Sequence, residues 1–331
     1  MSGESVRMGN TRHLISVEDL SDRDLAYMVA RGVRYAQLGT AGERALADTV
    51  VGVYFGKTST RTRTAFSSGA LRLGGQIVTY GPGDLQLNTG ESMADTGRVL
   101  SAMLDVLVVR TAGDEQQMRE LAAPGGMSVV NAMGVREHPT QALADLTTLT
   151  RLLGGIEGLR LLYVGEGNNT CTALLLALSR FHDVYVEART PPGYGVPADI
   201  LAAARAHAER TGSRIVERHD MDDLPPDFHV VYTTRWQTTG TTKPDPNWRE
   251  AFLPFRVHGG LWERSKDALF LHDLPAHRGE EVTAEVLDGP RSAAFEQAAT
   301  KMHSAMAVLD WCVNGVPDGP RKGNGERPRA H

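Results

Sequence analysis

Val50-Val51-Gly52-Val53-Tyr54-Phe55-Gly56-Lys57-Thr58-Ser59-Thr60-Arg61-Thr62-Arg63 runs from an apolar strand, through a glycine break, into a polar turn. Beyond it Phe66, Ala70 and Leu73 recur at helical spacing, so a helix is expected over 63–73. A strand that feeds a helix is the building unit of a parallel α/β sheet. The turn between them also carries chemistry. Unpaired N–H groups point outward at a helix start, which makes it a ready anion site. Ser59, Thr60 and Thr62 add hydroxyl donors, Arg61 and Arg63 add fixed forked charge, and no acidic residue intervenes. A phosphate is the natural guest. The plainer reading is a Ser/Thr-capped helix with solvated arginines, but two arginines among three hydroxyls weigh against it. The turn is not a P-loop, since G-x-x-x-x-G-K-[ST] is missing.

Outward from this unit the alternation repeats. Strands are expected at 76–80, 105–110 and 127–131, with helices at 92–103 and 115–122. A long helix over 138–153 ends at Gly154-Gly155, a natural domain junction. The pattern restarts with a strand at 159–164, a helix at 170–181 and a strand at 184–187. Later strands are expected at 230–234 and 269–272, and a final long helix at 292–312. This predicts two α/β domains with mainly parallel sheets, over residues 1–153 and 154–320. The Gly/Pro/charge-rich stretch 321–331 reads as a disordered tail. A chain of 331 residues suits two domains.

Ligands of such sheets collect at the carboxyl ends of strands, where further polar groups fall. Arg110 ends the apolar run Leu107-Val108-Val109. His138-Pro139-Thr140-Gln141 opens the next helix, with proline at the first helical position and His138 and Gln141 on the first turn. His138 alone reads as a cap or a packing residue. Together with Arg110, Gln141 and the Ser/Thr/Arg turn it forms a set able to hold a phosphate and polarise a neighbouring carbonyl.

The composition excludes several classes. Hydrophobic residues make up 41% and charged residues 23%, as in ordinary globular proteins. The net charge is -5, and no basic stretch alternates with aromatics, so nucleic acid is not an expected partner. No run reaches the roughly 18 apolar residues of a membrane span, and residues 1–13 lack the apolar core of a signal peptide. The two cysteines, Cys171 and Cys312, make neither a disulfide framework nor a zinc site, and a cytoplasmic setting is expected. His182, His219, His229, His258 and His303 are scattered, with no i, i+4 pair to suggest a metal.

Ser-Thr-Arg-Thr-Arg at 59–63, His-Pro-Thr-Gln at 138–141 and His272-Asp273-Leu274-Pro275-Ala276-His277-Arg278-Gly279-Glu280-Glu281-Val282 resemble the aspartate/ornithine carbamoyltransferase family, most closely its ornithine branch. The resemblance spans about 20–312. It implies two doubly wound domains, with the last helix returning to the first. It also implies a homotrimer, or a multiple of trimers, with sites at subunit interfaces and no metal or organic cofactor. Ser59, Thr60, Arg61 and Thr62 would hold the phosphate of carbamoyl phosphate. Arg110, His138 and Thr62 would act at the carbamoyl oxygen, and Gln141 would hold the NH2. Gln86 matches a glutamine that contacts carbamoyl phosphate in the ornithine branch.

The acceptor side departs from that branch. Asp273 stands where a cysteine is expected before Leu274-Pro275. Asp-x-Trp-x-Ser-Met-Gly becomes Thr234-Arg235-Trp236-Gln237-Thr238-Thr239-Gly240, in which Thr234, Arg235 and Gln237 look like the aspartate branch. Lys301 replaces an arginine at the carbamoyl phosphate end. Gly165-Glu166-Gly167-Asn168-Asn169 resembles the ornithine branch's Asn-Asn loop, with Asn169 as the acceptor contact. The expected reaction is carbamoyl transfer to a primary amine of an amino acid or an amino-acid-derived natural product, giving a ureido product and phosphate. The expected acceptor is a diamino acid or diaminopropionyl unit other than ornithine, bound by Asn169, Thr234, Arg235, Gln237, Thr238, Thr239, Asp273 and Leu274. The alternatives are an ornithine carbamoyltransferase making citrulline, a homologue that only binds, and an NAD-dependent oxidoreductase. The last rests on the strand 161–164 followed by Gly165-x-Gly167, with Glu187 as the ribose acid.

Overall fold

The computed structural model describes residues 11–111, 113–238 and 241–317, without the side chains of Leu87 and Asn88. Thr239 and the tail expected at 321–331 lie outside the described residues.

Helix α1 (Asp22–Leu38) precedes an alternating series: β1 (Val50–Phe55), α2 (Arg61–Arg72), β2 (Gln76–Tyr80), α3 (Met93–Ser101), β3 (Val106–Arg110), α4 (Glu115–Ala122), β4 (Ser128–Asn131) and α5 (Pro139–Leu153). The second half runs β5 (Arg160–Val164), α6 (Asn169–Leu178), β6 (Tyr185–Arg189), α7 (Ala198–Thr211), β7 (Arg214–Arg218) and β8 (Val230–Thr233). It continues through α8 (Trp248–Phe252), β9 (Leu269–His272), α9 (Ala284–Leu287) and α10 (Ala294–Asn314). The sheets have orders β2-β1-β3-β4 and β7-β6-β5-β8-β9, and every pairing in them is parallel. The expected α/β architecture of two doubly wound, parallel sheets is therefore what the chain forms. Among the described residues no helix is long and apolar enough to cross a membrane.

The central strands β3 and β8 are buried along their whole length, because helices cover both faces of a parallel sheet. Strand β7 is less buried and carries charged residues at both ends, Arg214 and Glu217-Arg218, which suits an edge. Both sheets reverse direction once, between β1 and β3 and between β5 and β8. Those reversals open crevices at the carboxyl ends of the strands. Register then places the site: Phe55 pairs with Arg110, and Val164 and His272 both pair with Thr233.

Helix α10 starts beside β9 and packs on α1, α2 and α5 of the first half. Asp310 accepts from Arg31 Nε (2.7 Å) and the Tyr35 hydroxyl (3.0 Å), and Trp311 Nε1 donates to Asp24 (2.8 Å). Met306, Leu309 and Trp311 share one hydrophobic cluster with Leu14, Leu25, Val51 and Phe66, and with Leu161 and Leu174 of the second half. Helix α2 begins at Arg61, two residues before the expected start, so Arg61, Thr62 and Arg63 form its first turn. Helices α1 and α7 and strand β7 were not among the expected elements. The spacing of Leu25, Met28, Val29 and Tyr35 does carry a helical signal for α1.

Candidate active site

A cavity of about 330 Å3 opens between the carboxyl ends of the two sheets. After β1 it is lined by Thr58, Ser59, Thr60, Arg61 and Thr62; Arg110 follows from the end of β3, and His138 and Gln141 from the start of α5. The second half supplies Asn168 and Asn169 at α6, and Thr234, Arg235 and Thr238 after β8. Asp273 and Leu274 follow β9, and Lys301 projects from α10. Motifs more than 200 residues apart in sequence thus meet around one space. Two expected members lie outside it. Gln86 is exposed on a short 3-10 turn and accepts from the Thr89 hydroxyl (3.2 Å). Gln237 Nε2 donates to Thr241 O (2.8 Å). The cavity also takes in Thr58, Met133, Thr170 and Pro275, which sequence reasoning did not single out.

The first-half end is short of anions. Helices α1, α3, α4 and α6 have side-chain caps, from Ser21, Ser92, Asp114 and Asn168. Thr60 makes no such cap for α2, nor His138 for α5, and neither first turn holds an acid. The first N–H groups of α2 are left for a ligand. Arg61 Nε and Arg110 Nε are buried without a hydrogen-bond partner among the described residues. Burial pushes Arg110 down to about 10, with Arg61 adding repulsion and Asp273 only partly offsetting it. Burial likewise lowers Arg61. Lys301 is held down to about 8, by burial first and then by Arg61 and Arg110, against the pull of Asp273 and Asp145. Cations so disfavoured in the empty site gain most when an anion enters.

Polar groups at the start of α5 are held in fixed attitudes. His138 N–H donates to Asn169 O (3.0 Å), and the ring Nδ1 lies 3.2 Å from the Thr140 hydroxyl. Burial, then Lys301 and Arg110, hold the imidazole well below its ordinary range, so it is neutral at pH 7. If the Thr140 hydroxyl donates to Nδ1, the ring proton sits on Nε2 and is available as a donor. Gln141 Nε2 donates to Asp145 (2.7 Å), while its Oε1 is buried without a partner among the described residues.

At the other end, Asp273 accepts from the Thr170 hydroxyl (3.0 Å), and its backbone oxygen accepts from Lys301 Nζ (3.3 Å). Burial works against ionisation of Asp273, but His272, Lys301 and Thr170 outweigh it and hold the carboxyl low. The next residue, Leu274, has φ 52°, a left-handed conformation that side chains with a Cβ rarely adopt. Its N–H donates to His272 Nδ1 (2.8 Å), and His272 Nε2 faces Glu281 (3.2 Å). Asn168 caps α6 through Oδ1 and donates from Nδ2 to Thr234 (3.0 Å) and Thr238 (3.2 Å). Asn169 Nδ2 is committed to Gly134 O (2.8 Å). Arg235 lines the cavity and has no hydrogen bond or ion pair among the described residues.

The G-x-G loop is already filled. A Cβ on Gly167 would lie 2.3 Å from Val196 N and 2.4 Å from Gly195 C, and Gly167 N–H donates to Tyr194 O (2.9 Å). The glycine is needed by the chain's own backbone, which occupies the place a pyrophosphate would take. Glu187 is buried between Arg189 Nε (2.6 Å) and the Tyr185 hydroxyl, so no free acid awaits a ribose. These contacts remove the basis of the NAD reading. Of metal-capable groups among the described residues, His277, Glu280 and Glu281 come within 4.8 Å of one another, outside the cavity lining. Cys171 and Cys312 are buried and unpaired.

Comparison with known proteins agrees with this geometry. The family model described as "Aspartate/ornithine carbamoyltransferase, carbamoyl-P binding domain" matches residues 12–151, and "Aspartate/ornithine carbamoyltransferase, Asp/Orn binding domain" matches residues 157–312. An ornithine carbamoyltransferase of Anoxybacillus flavithermus is 36% identical over 301 residues, covering 90% of this chain and 95% of its own. That of Methanothermobacter thermautotrophicus is 37% identical over 306 residues, covering 92% and 100%. The structure of the Pyrococcus furiosus ornithine carbamoyltransferase aligns with a TM-score of 0.86 at 33% identity, over 93% of this chain and 98% of that one. The catalytic subunit of M. jannaschii aspartate transcarbamoylase aligns at 0.78 and 28% identity, over 91% and 98%.

Proposed function

The chain belongs to the aspartate/ornithine carbamoyltransferase family, a family of enzymes that transfer one-carbon groups, and we propose that it moves the carbamoyl group of carbamoyl phosphate to one amine of a diamino acid. The observation that carries this reading is the meeting, around one cavity, of only partly compensated cations, Arg61, Arg110 and Lys301, with the Asp273 carboxylate.

In this reading Ser59, Thr60, Arg61 and Thr62 hold the phosphate, with Lys301 beside them. Arg110, His138 and Thr62 donate to the carbamoyl oxygen, and Gln141 Oε1 accepts from the carbamoyl NH2. A neutral amine attacks the carbamoyl carbon, and charge develops on the oxygen as the carbon becomes tetrahedral. Donors fixed in advance at that oxygen lower the barrier, each by about 3 kcal/mol. The C–O bond to phosphate then breaks, and the leaving charge spreads over Arg61 and the α2 N-terminus. The attacking nitrogen releases its proton, and a ureido product and phosphate result. Holding both reactants in register supplies much of the remaining acceleration, and no covalent nucleophile is required.

The acceptor would bind among Asn169, Thr234, Arg235, Thr238, Asp273 and Leu274, with Arg235 free for a carboxylate or carbonyl and Asp273 for a second ammonium. Gln237 is turned away and takes no part. Gln86, exposed and outside its own chain's cavity, would serve a neighbouring subunit in a trimer with shared sites. Residues 1–153 form the donor half and 154–320 the acceptor half of this reading. The relatives are named ornithine carbamoyltransferases, which favours ornithine as acceptor and citrulline as product. The exchanges at Thr234 and Asp273 favour a different diamino acid, or a diaminopropionyl unit in a larger molecule as in antibiotic biosynthesis. Carbamoyl phosphate offered with ornithine, diaminobutyrate, diaminopropionate, a diaminopropionyl peptide and aspartate, with phosphate release and product mass as readouts, tests both levels. Release with none of the amines sinks the activity; a wide margin for ornithine settles the acceptor as ornithine.

A further inference from the structure

Asp145 lies on α5 one turn after Gln141, fully buried and outside the cavity lining. Its Oδ1 accepts from Gln141 Nε2 (2.7 Å) and Gln297 Nε2 (2.6 Å), and its Oδ2 from the Tyr232 hydroxyl (3.1 Å). The donors come from α5, α10 and β8, so the carboxylate sits where the two halves meet.

One backbone group fixes the orientation of both amides. A peptide N–H can only donate, and that of His272 meets Gln297 Oε1 at 2.9 Å. The end of the Gln297 amide that reaches Asp145 is therefore its NH2. Both Asp145 oxygens receive hydrogens, so toward Gln141 the carboxylate is again an acceptor, and the Gln141 NH2 must face it. Gln141 Oε1 is left turned away, buried and without a partner among the described residues, on a residue that lines the cavity.

We infer that Asp145 is a positioning residue that holds Gln141 with its oxygen toward the cavity, and so makes the site select a carbamoyl group over an acyl group lacking N–H. This rests on reading the cavity as a carbamoyl phosphate site. With Oε1 presented, a carbamoyl NH2 completes the network. A methyl in its place leaves a buried acceptor unsatisfied, which a desolvated site does not tolerate. If the Gln141 amide were free to turn, that discrimination would weaken, because its oxygen could turn away from a methyl to another donor.

The test uses the full chain and three ligands: phosphonoacetamide, acetonylphosphonate, which carries CH3 in place of NH2, and inorganic phosphate. Affinities are measured calorimetrically at a pH between the Asp145 carboxyl, which burial pushes up to about 7 against the Gln297 and Gln141 N–H groups, and Lys301, which is held down to about 8. The wild type is expected to prefer the amide over the ketone by about tenfold or more. Asp145→Leu, similar in shape but unable to accept, loses that preference to within about twofold while phosphate affinity stays within about threefold. Asp145→Asn, whose remaining oxygen can serve both glutamines, keeps the preference. If the leucine variant does not fold, Asp145→Ala, likewise unable to accept, takes its place with the same expectation. A leucine or alanine variant that keeps the preference overturns the inference; so does parallel loss of all three ligands, which marks a merely structural role. Wild-type protein that binds neither phosphonate would instead sink the carbamoyl phosphate reading itself.

Discussion

Replacing Arg110 by methionine should stabilise the unliganded protein and disable it. The guanidinium is buried at the end of β3, its Nε has no partner among the described residues, and Arg61 repels it. A group held at about 10 instead of its ordinary 12.5 is disfavoured as a cation by about 3 kcal/mol. Burial is the largest cause, and an apolar side chain of similar length does not incur it. Some of that cost is relieved by water reaching the empty cavity, so a gain of about 1–3 kcal/mol is expected, or roughly 2–6 °C in melting temperature. The same change removes a donor proposed to act at the carbamoyl oxygen, which should lower kcat by about 100- to 1,000-fold. Chemical and thermal unfolding in phosphate-free buffer, beside phosphate-release kinetics, reads both effects. Lower stability of the unliganded variant would show that Arg110 is compensated within the chain. A rate near wild type would show that it does not meet the reacting group.

Two further outcomes follow from the same geometry. Lys301, held down to about 8 by burial, is charged in the free enzyme below that pH and neutral above it. The kcat/KM for carbamoyl phosphate should therefore fall as pH rises through that value, and Lys301→Arg should carry the fall to higher pH; a profile flat for about two pH units beyond it refutes the assignment. Gly167→Ala places a Cβ 2.3 Å from Val196 N, where only backbone can move. It should cost about 1–3 kcal/mol in chemical unfolding and displace Asn168 from Thr234. An unchanged unfolding midpoint would show that the loop has room to spare.

The chain's architecture and half of its cavity were legible because the signals are local. The 50–63 and 138–141 segments each hold a strand or helix boundary and its polar groups within a few residues. Where the site depends on partners far apart in sequence, no local pattern reports it. Asp145, Tyr232 and Gln297 look like stray polar residues within apolar elements, and only the meeting of α5, β8 and α10 gives them a common purpose. Asn168 was visible, but its cap and its bridge to Thr234 and Thr238 required the fold. Gly165-x-Gly167 misled for a related reason: glycine marks a close approach without saying what approaches, and here it is residues 194–196.

The return of α10 to the first half bears on how the protein is made. The floor of that half, where Met306, Leu309 and Trp311 meet Leu14, Leu25 and Phe66, is supplied by residues made long after it. As the chain leaves the ribosome, the first sheet and its helices emerge with an open apolar seam that about 150 further residues must pass before it can be closed. The turn at the start of α2, proposed to hold phosphate, rests on that seam, since α2 itself packs on α10. The proposed competence to hold phosphate thus waits until α10 has been made, and a message truncated before α10 would yield an adhesive fragment in place of a half-active enzyme.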